Sequence, residues 1–132
     1  MDAKAYEDYL TKFNARDYDG VFDFYADKPD MAFFGVRIRS REELKKFYSF
    51  LHSYIRETIT AERVVCDVRT LALEANVRIE GLRDLDAKTL AANGCAQFHP
   101  IKAGEIIELK QYIHYHLDDA GKILSVGCGL VG

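Results

Sequence analysis

Tyrosine and histidine carry most of the chemistry available in this sequence. Tyr9, Tyr25 and Tyr48 each lie on a stretch patterned with apolar residues. A phenol with a pKa of about 10 stays protonated at neutral pH, so it can donate a hydrogen bond to a developing oxyanion or a proton to a leaving group. Several phenols meeting in an apolar setting polarise one another. Amphipathic helices also bury tyrosines for packing alone, and spacing by itself leaves both readings open. His52 follows Tyr48 by one helical turn, and an imidazole of ordinary pKa about 6.5 exchanges protons near neutrality. On this reading His52 is the general base; otherwise it sits on the helix flank. His114 and His116 bracket Tyr115, and i, i+2 spacing on a strand points both rings the same way. No HExxH or CxxC accompanies them, so no metal site is expected. His99, before Pro100, belongs to a pocket mouth or an ordinary loop. Cys128 is pocket lining or a small buried hydrophobe, with no neighbouring base to make it a thiolate. Residues 127–132 spell G-x-G-x-x-G, but the chain ends where a dinucleotide fingerprint would have to open a helix.

The elements that must position these groups follow from periodicity. Ala5, Tyr6, Tyr9, Leu10 and Phe13 share one face of a helix over 3–14, which Asn14-Ala15-Arg16-Asp17 ends. Asp17 caps a second short helix carrying Val21, Phe22, Phe24 and Tyr25. Met31 to Arg37 reads as a short strand. Ser40 and Glu43 form a capping box, opening a helix with Leu44, Phe47, Tyr48, Leu51 and Ile55 on one face. From Arg56 the period becomes two, predicting strands over 57–67 and 70–82, then a hairpin of 105–117 and 122–131 around Asp118-Asp119-Ala120-Gly121. The connection 83–104 is long enough to be a lid or binding loop, with Asp86 capping a short helix that ends at Asn93-Gly94. The order predicts an α+β fold, three N-terminal-half helices packed on the concave side of a cone-shaped, curved antiparallel sheet. The chain reads as one domain, 1–132, with 83–104 as an insertion.

Composition narrows the function. The 132 residues are 48% hydrophobic and 30% charged with net charge −3, which excludes overall disorder and a basic nucleic-acid surface. No apolar run reaches the roughly 18 residues of a membrane span. Three cysteines without a CxxC pair, and an acidic N-terminus unlike a signal peptide, predict a cytoplasmic setting.

Three segments taken in order resemble the nuclear-transport-factor-2-like superfamily, and within it SnoaL-like polyketide cyclases and ketosteroid isomerases. They are Tyr9 to Gly20 with Phe24-Tyr25-Ala26-Asp27, Ser40 to Leu44, and Tyr115 to Ile123. The resemblance covers nearly the whole chain except 83–104. It implies that Tyr9 is the oxyanion donor, supported by Tyr25 and Tyr48, and that Phe33, Ile113, Tyr115, Val126 and Cys128 shape the pocket. It places Phe33 where those isomerases carry the general-base Asp, Ile113 where they carry the protonated Asp, and Cys128 where related epoxide hydrolases carry an Asp. It turns His114 and His116 to the outer face of the sheet, where such proteins dimerise. The expectation is a cofactor-independent isomerase, cyclase, dehydratase or lyase acting on a small hydrophobic cyclic or aromatic molecule, homodimeric, with no nucleic-acid or membrane partner. The alternative is a non-catalytic ligand-binding or dimerisation module, and a third reading is an assembly or transport adaptor.

Overall fold

In the computed structural model, which describes residues 1–131, helix α1 (Ala3–Asn14) starts at Asp2, whose carboxylate accepts from the Ala5 N–H at 2.8 Å. It ends in a Schellman turn, with Asp17 N–H bonded to Lys12 O and Arg16 N–H to Phe13 O. The left-handed residue of that turn is Arg16 (φ 61°), a place usually taken by glycine. Its guanidinium supplies the compensation by donating to the carbonyls of His52 and Ile55 at 3.0 and 3.1 Å. Asn14 does the same for the edge strand, pairing its amide with both backbone groups of Ile59. The first loop is thus stitched to the far end of the third helix and the strand that follows.

Asp17 caps α2 (Tyr18–Phe22) through Gly20 N–H at 2.9 Å. The region expected as one strand, Met31 to Arg37, is instead a hairpin, β1 (Met31–Phe33) and β2 (Val36–Ile38). The two loop residues, Phe34 and Gly35, both have positive φ, at 48° and 80°. That geometry is what a two-residue hairpin turn requires, and Phe in the first position hides the usual sequence signal. Ser40 caps α3 (Arg41–Tyr54) by accepting from Glu43 N–H, and Glu43 reaches back to Arg39 N–H at 2.8 Å.

The main sheet is antiparallel in chain order: β3 (Ile55–Cys66), β4 (Thr70–Gly81), β5 (Ile106–Leu117) and β6 (Ile123–Leu130). Along β4, Leu71, Leu73, Ala75 and Val77 alternate inward, with Ile79 following; along β5 the inward set is Ile107, Leu109, Gln111, Ile113, Tyr115 and Leu117. Burial along β5 deepens toward its C-terminal end, so the sheet and helices form a cone closed there and open at the other end. Register shifts in β3 between Ala61 and Arg63, and in β6 between Ile123 and Ser125 opposite Leu117 and His116, help bend the sheet. A parallel bridge between Tyr25 and Ile123 ties the segment after α2 to β6.

The 83–104 connection is packed down. Helix α4 (Ala87–Ala92), capped by Asp86 through Thr89 N–H at 2.7 Å, buries Leu90, while Cys95 is buried just after it. Leu85 and Ile101 exchange backbone hydrogen bonds, closing the loop on itself. No helix of the described residues is long and apolar enough to cross a membrane.

Candidate functional site

The inward faces of the cone and helices enclose a cavity of about 430 Å³. That lies within the roughly 300–1,000 Å³ of small-molecule sites. Its closed end is built by helix spacing and strand parity together. Tyr6, Tyr9 and Phe13 rise along one face of α1, with the Tyr6 and Tyr9 rings stacked at 5.2 Å. Tyr115 meets them from β5, its hydroxyl 3.0 Å from that of Tyr6. Tyr25 arrives from the segment held by the bridge to β6.

Burial pushes the Tyr9 phenol well above the ordinary tyrosine range, while hydrogen bonds with Tyr115 and Tyr25 pull it partway back. Burial likewise raises Tyr25, Tyr48 and Tyr115. Every phenol at this end therefore stays protonated across the physiological range and acts as a donor. Tyr9, Tyr25 and Tyr115 all line the cavity, and the Tyr115 hydroxyl is held by that of Tyr6, so protonated phenols border the bound molecule from α1, the segment after α2 and β5. Tyr48 lines the same cavity from α3, its ring stacked on Tyr18 at 5.9 Å. Burial raises the Cys128 thiol to about 11, so it is a neutral lining group at neutral pH.

Of the residues singled out by sequence, Tyr9, Tyr25, Tyr48, Phe33, Ile113, Tyr115, Val126 and Cys128 all line this one cavity. His52 does not. It is buried behind the wall, 3% exposed, with Nδ1 2.7 Å from the Tyr18 hydroxyl and Nε2 3.0 Å from Glu57 Oε1. Both ring nitrogens are engaged, and Glu57 is the group that faces the cavity. His114 and His116 lie on the outer face, exposed, with rings 4.8 Å apart. Among the described residues no cluster of three or more His, Cys, Asp or Glu side chains has a metal-binding arrangement.

The structure adds residues that sequence reasoning missed. Glu57 and Gln111 are polar groups at inward positions of β3 and β5. A carboxylate alternating with Ile55 and Ile59 was the available signal for the first. The insertion supplies Gln97, Phe98 and His99 to the mouth, with Phe98 against Phe34 and Phe47 at 5.8 and 5.9 Å.

No protein-family model matches the chain, and no curated protein matches it in sequence. Solved structures match its fold. A candidate polyketide cyclase from a Silicibacter species is 19% identical with a TM-score of 0.75, over 97% of this chain and 87% of that one. A SnoaL-like polyketide cyclase from Agrobacterium tumefaciens is 17% identical, TM-score 0.70, over 96% and 87%. An LEH-like epoxide hydrolase of M. tuberculosis is 15% identical, TM-score 0.67, over 97% and 80%. The chain therefore shares the fold of SnoaL-like and NTF2-like proteins, as its sequence resemblance implied.

Proposed function

We propose that this chain is a cofactor-independent enzyme that moves a proton on a small hydrophobic molecule, cyclic or aromatic and bearing a carbonyl or hydroxyl oxygen. The observation that carries this is the apolar cavity whose closed end gathers the hydroxyls of Tyr9, Tyr25 and Tyr115. Apolar walls select a ring compound by burial of its surface, and the tyrosines fix its oxygen. When a proton leaves the carbon beside a carbonyl, negative charge moves onto that oxygen. Preorganised donors in a water-poor site stabilise this charge more than they stabilise the neutral carbonyl, which lowers the barrier. Isomerisation, ring closure, water loss and carbon–carbon cleavage all begin or end in such a step. Fold neighbours described as polyketide cyclases and epoxide hydrolases support enzymatic use of this architecture.

A second reading, binding without turnover, is favoured by Phe33 and Ile113, apolar lining residues where the resemblance to ketosteroid isomerases calls for carboxylates. One experiment separates the two. The chain is incubated with 2-tetralone in deuterated buffer, and α-hydrogen exchange is followed by NMR. An enzyme of this kind speeds exchange above the buffer rate, and Tyr9→Phe slows it. Saturable binding of the ketone without faster exchange would establish the module instead.

A further inference from the structure

Glu57 is the only carboxylate among the described residues that line the cavity. It stands on β3 between inward Ile55 and Ile59, opposite Ile79 of β4, where an unpartnered charge would be costly. Its partner is His52, whose Nε2 lies 3.0 Å from Oε1. A carboxylate accepts, so Nε2 carries a hydrogen, while Nδ1 lies 2.7 Å from the Tyr18 hydroxyl, which also donates to the Tyr48 carbonyl at 3.3 Å. The imidazole is held on every side. Arg16 clamps its backbone carbonyl, Phe13 meets it edge-on at 5.7 Å, and the Tyr18 and Tyr48 rings lie at 5.7 and 5.2 Å. This chain runs from the cavity through buried His52 to half-buried Tyr18, and no other side-chain hydrogen bond to Glu57 occurs among the described residues. The charged and titratable neighbours are Arg16 between α1 and α2, Tyr18 of α2 and Tyr48 of α3, while Gln111 and His99 share the cavity.

We propose that Glu57 is the catalytic proton acceptor of this cavity, with His52 and Tyr18 as positioning residues: the imidazole aims the carboxylate and the Tyr18 hydroxyl holds the imidazole. The assignment rests on the acid–base reading above and narrows its substrate. The acidic hydrogen must lie on the Glu57 side of an apolar ring compound while its oxygen rests on Tyr9.

5-Nitrobenzisoxazole tests the base alone. Its ring C–H gives the proton to Glu57, the C–H electron pair becomes part of the nitrile, and the N–O bond breaks with its pair leaving on oxygen as a coloured phenolate. Glu57 then returns the proton to water, so nothing else is consumed. Binding of 2-naphthol, read by its fluorescence, reports the cavity independently. The wild-type chain should accelerate the elimination over the same concentration of acetate. Glu57→Gln, which keeps shape and the His52 contact, should lose about 100-fold or more, the usual worth of a positioned general base, while naphthol affinity stays. His52→Leu should lower kcat several-fold with KM and naphthol affinity little changed, because the carboxylate loses the donor that aims it, and His52→Gln should restore the rate. Tyr18→Phe, which leaves the packed ring in place, should give a smaller loss of kcat. Naphthol binding with no acceleration, or with Glu57→Gln as active as wild type, overturns Glu57 and leaves the cavity reading standing. An unchanged kcat in both His52→Leu and Tyr18→Phe overturns the positioning roles. Failure of the wild-type chain to bind naphthol overturns the cavity reading and the base together.

Discussion

Replacing Tyr6 or Tyr115 with Phe tests the closed end of the cone through its stability. The two hydroxyls lie 3.0 Å apart and are contributed by residues 109 positions apart in the chain, so they fasten α1 to β5. Tyr6 is fully buried and Tyr115 is 5% exposed. Removing one hydroxyl leaves the other without its partner, away from water, which costs about 1–3 kcal/mol. For a domain of this length that lowers the melting temperature by about 4–10 °C. The two losses should differ. After Tyr6→Phe the Tyr115 hydroxyl still borders the cavity, whereas Tyr115→Phe leaves the Tyr6 hydroxyl, which does not line it, fully buried with no partner. Tyr115→Phe should therefore be the more damaging, and should also weaken 2-naphthol binding by withdrawing a hydroxyl that lines the cavity. The double variant should lose less than the sum of the two, with a coupling of about 1 kcal/mol. Urea unfolding of the four proteins, followed by circular dichroism, supplies the cycle. Equal single losses with additive effects would refute the argument, because the hydroxyls would then contribute separately or not at all.

Three further outcomes follow from individual contacts. Ser40→Ala removes the oxygen that accepts from Glu43 N–H at the start of α3 and should cost about 1 kcal/mol in urea unfolding, with Ser40→Asp holding near wild type. Gly81→Ala should destabilise by about 1–3 kcal/mol in the same assay, because its new Cβ would clash with the Lys102 carbonyl oxygen, a backbone atom with little room to move. Iodoacetamide at pH 8 should label exposed Cys66 in the folded chain and leave Cys128 unmodified, since burial holds that thiol to about 11; equal labelling of both by peptide mass spectrometry would contradict the enclosed cavity.

The elements were legible wherever one local signal governed them. Apolar spacing marked α1, Ser40 with Glu43 marked α3, and the strict alternation of Leu71, Leu73, Ala75, Val77 and Ile79 marked β4 and its inward face. The β1–β2 hairpin was hidden because Phe34 occupies a left-handed position that sequence habit reserves for Asn, Asp or Gly. Phe33, Ile113, Tyr115, Val126 and Cys128 came from resemblance, since only an alignment to a known cone says which residues of short, aromatic-rich strands point inward.

The chemistry of His52 was misplaced for a different reason. Helical spacing put it one turn beyond Tyr48 and correctly beside that ring, but spacing along one helix cannot say what lies across the gap. Arg16, in its strained turn, ties the carbonyls of His52 and Ile55 from outside, and the chain leaves α3 directly into β3. Two residues into that strand an inward side chain must face the cavity within reach of the last turn of the helix, and the residue there is Glu57. The histidine is therefore spent on orienting a carboxylate that the strand supplies. A functional pair of this kind spans a helix-to-strand junction and belongs to neither period. It becomes visible only when the junction's geometry, fixed by a residue near the start of the chain, is known.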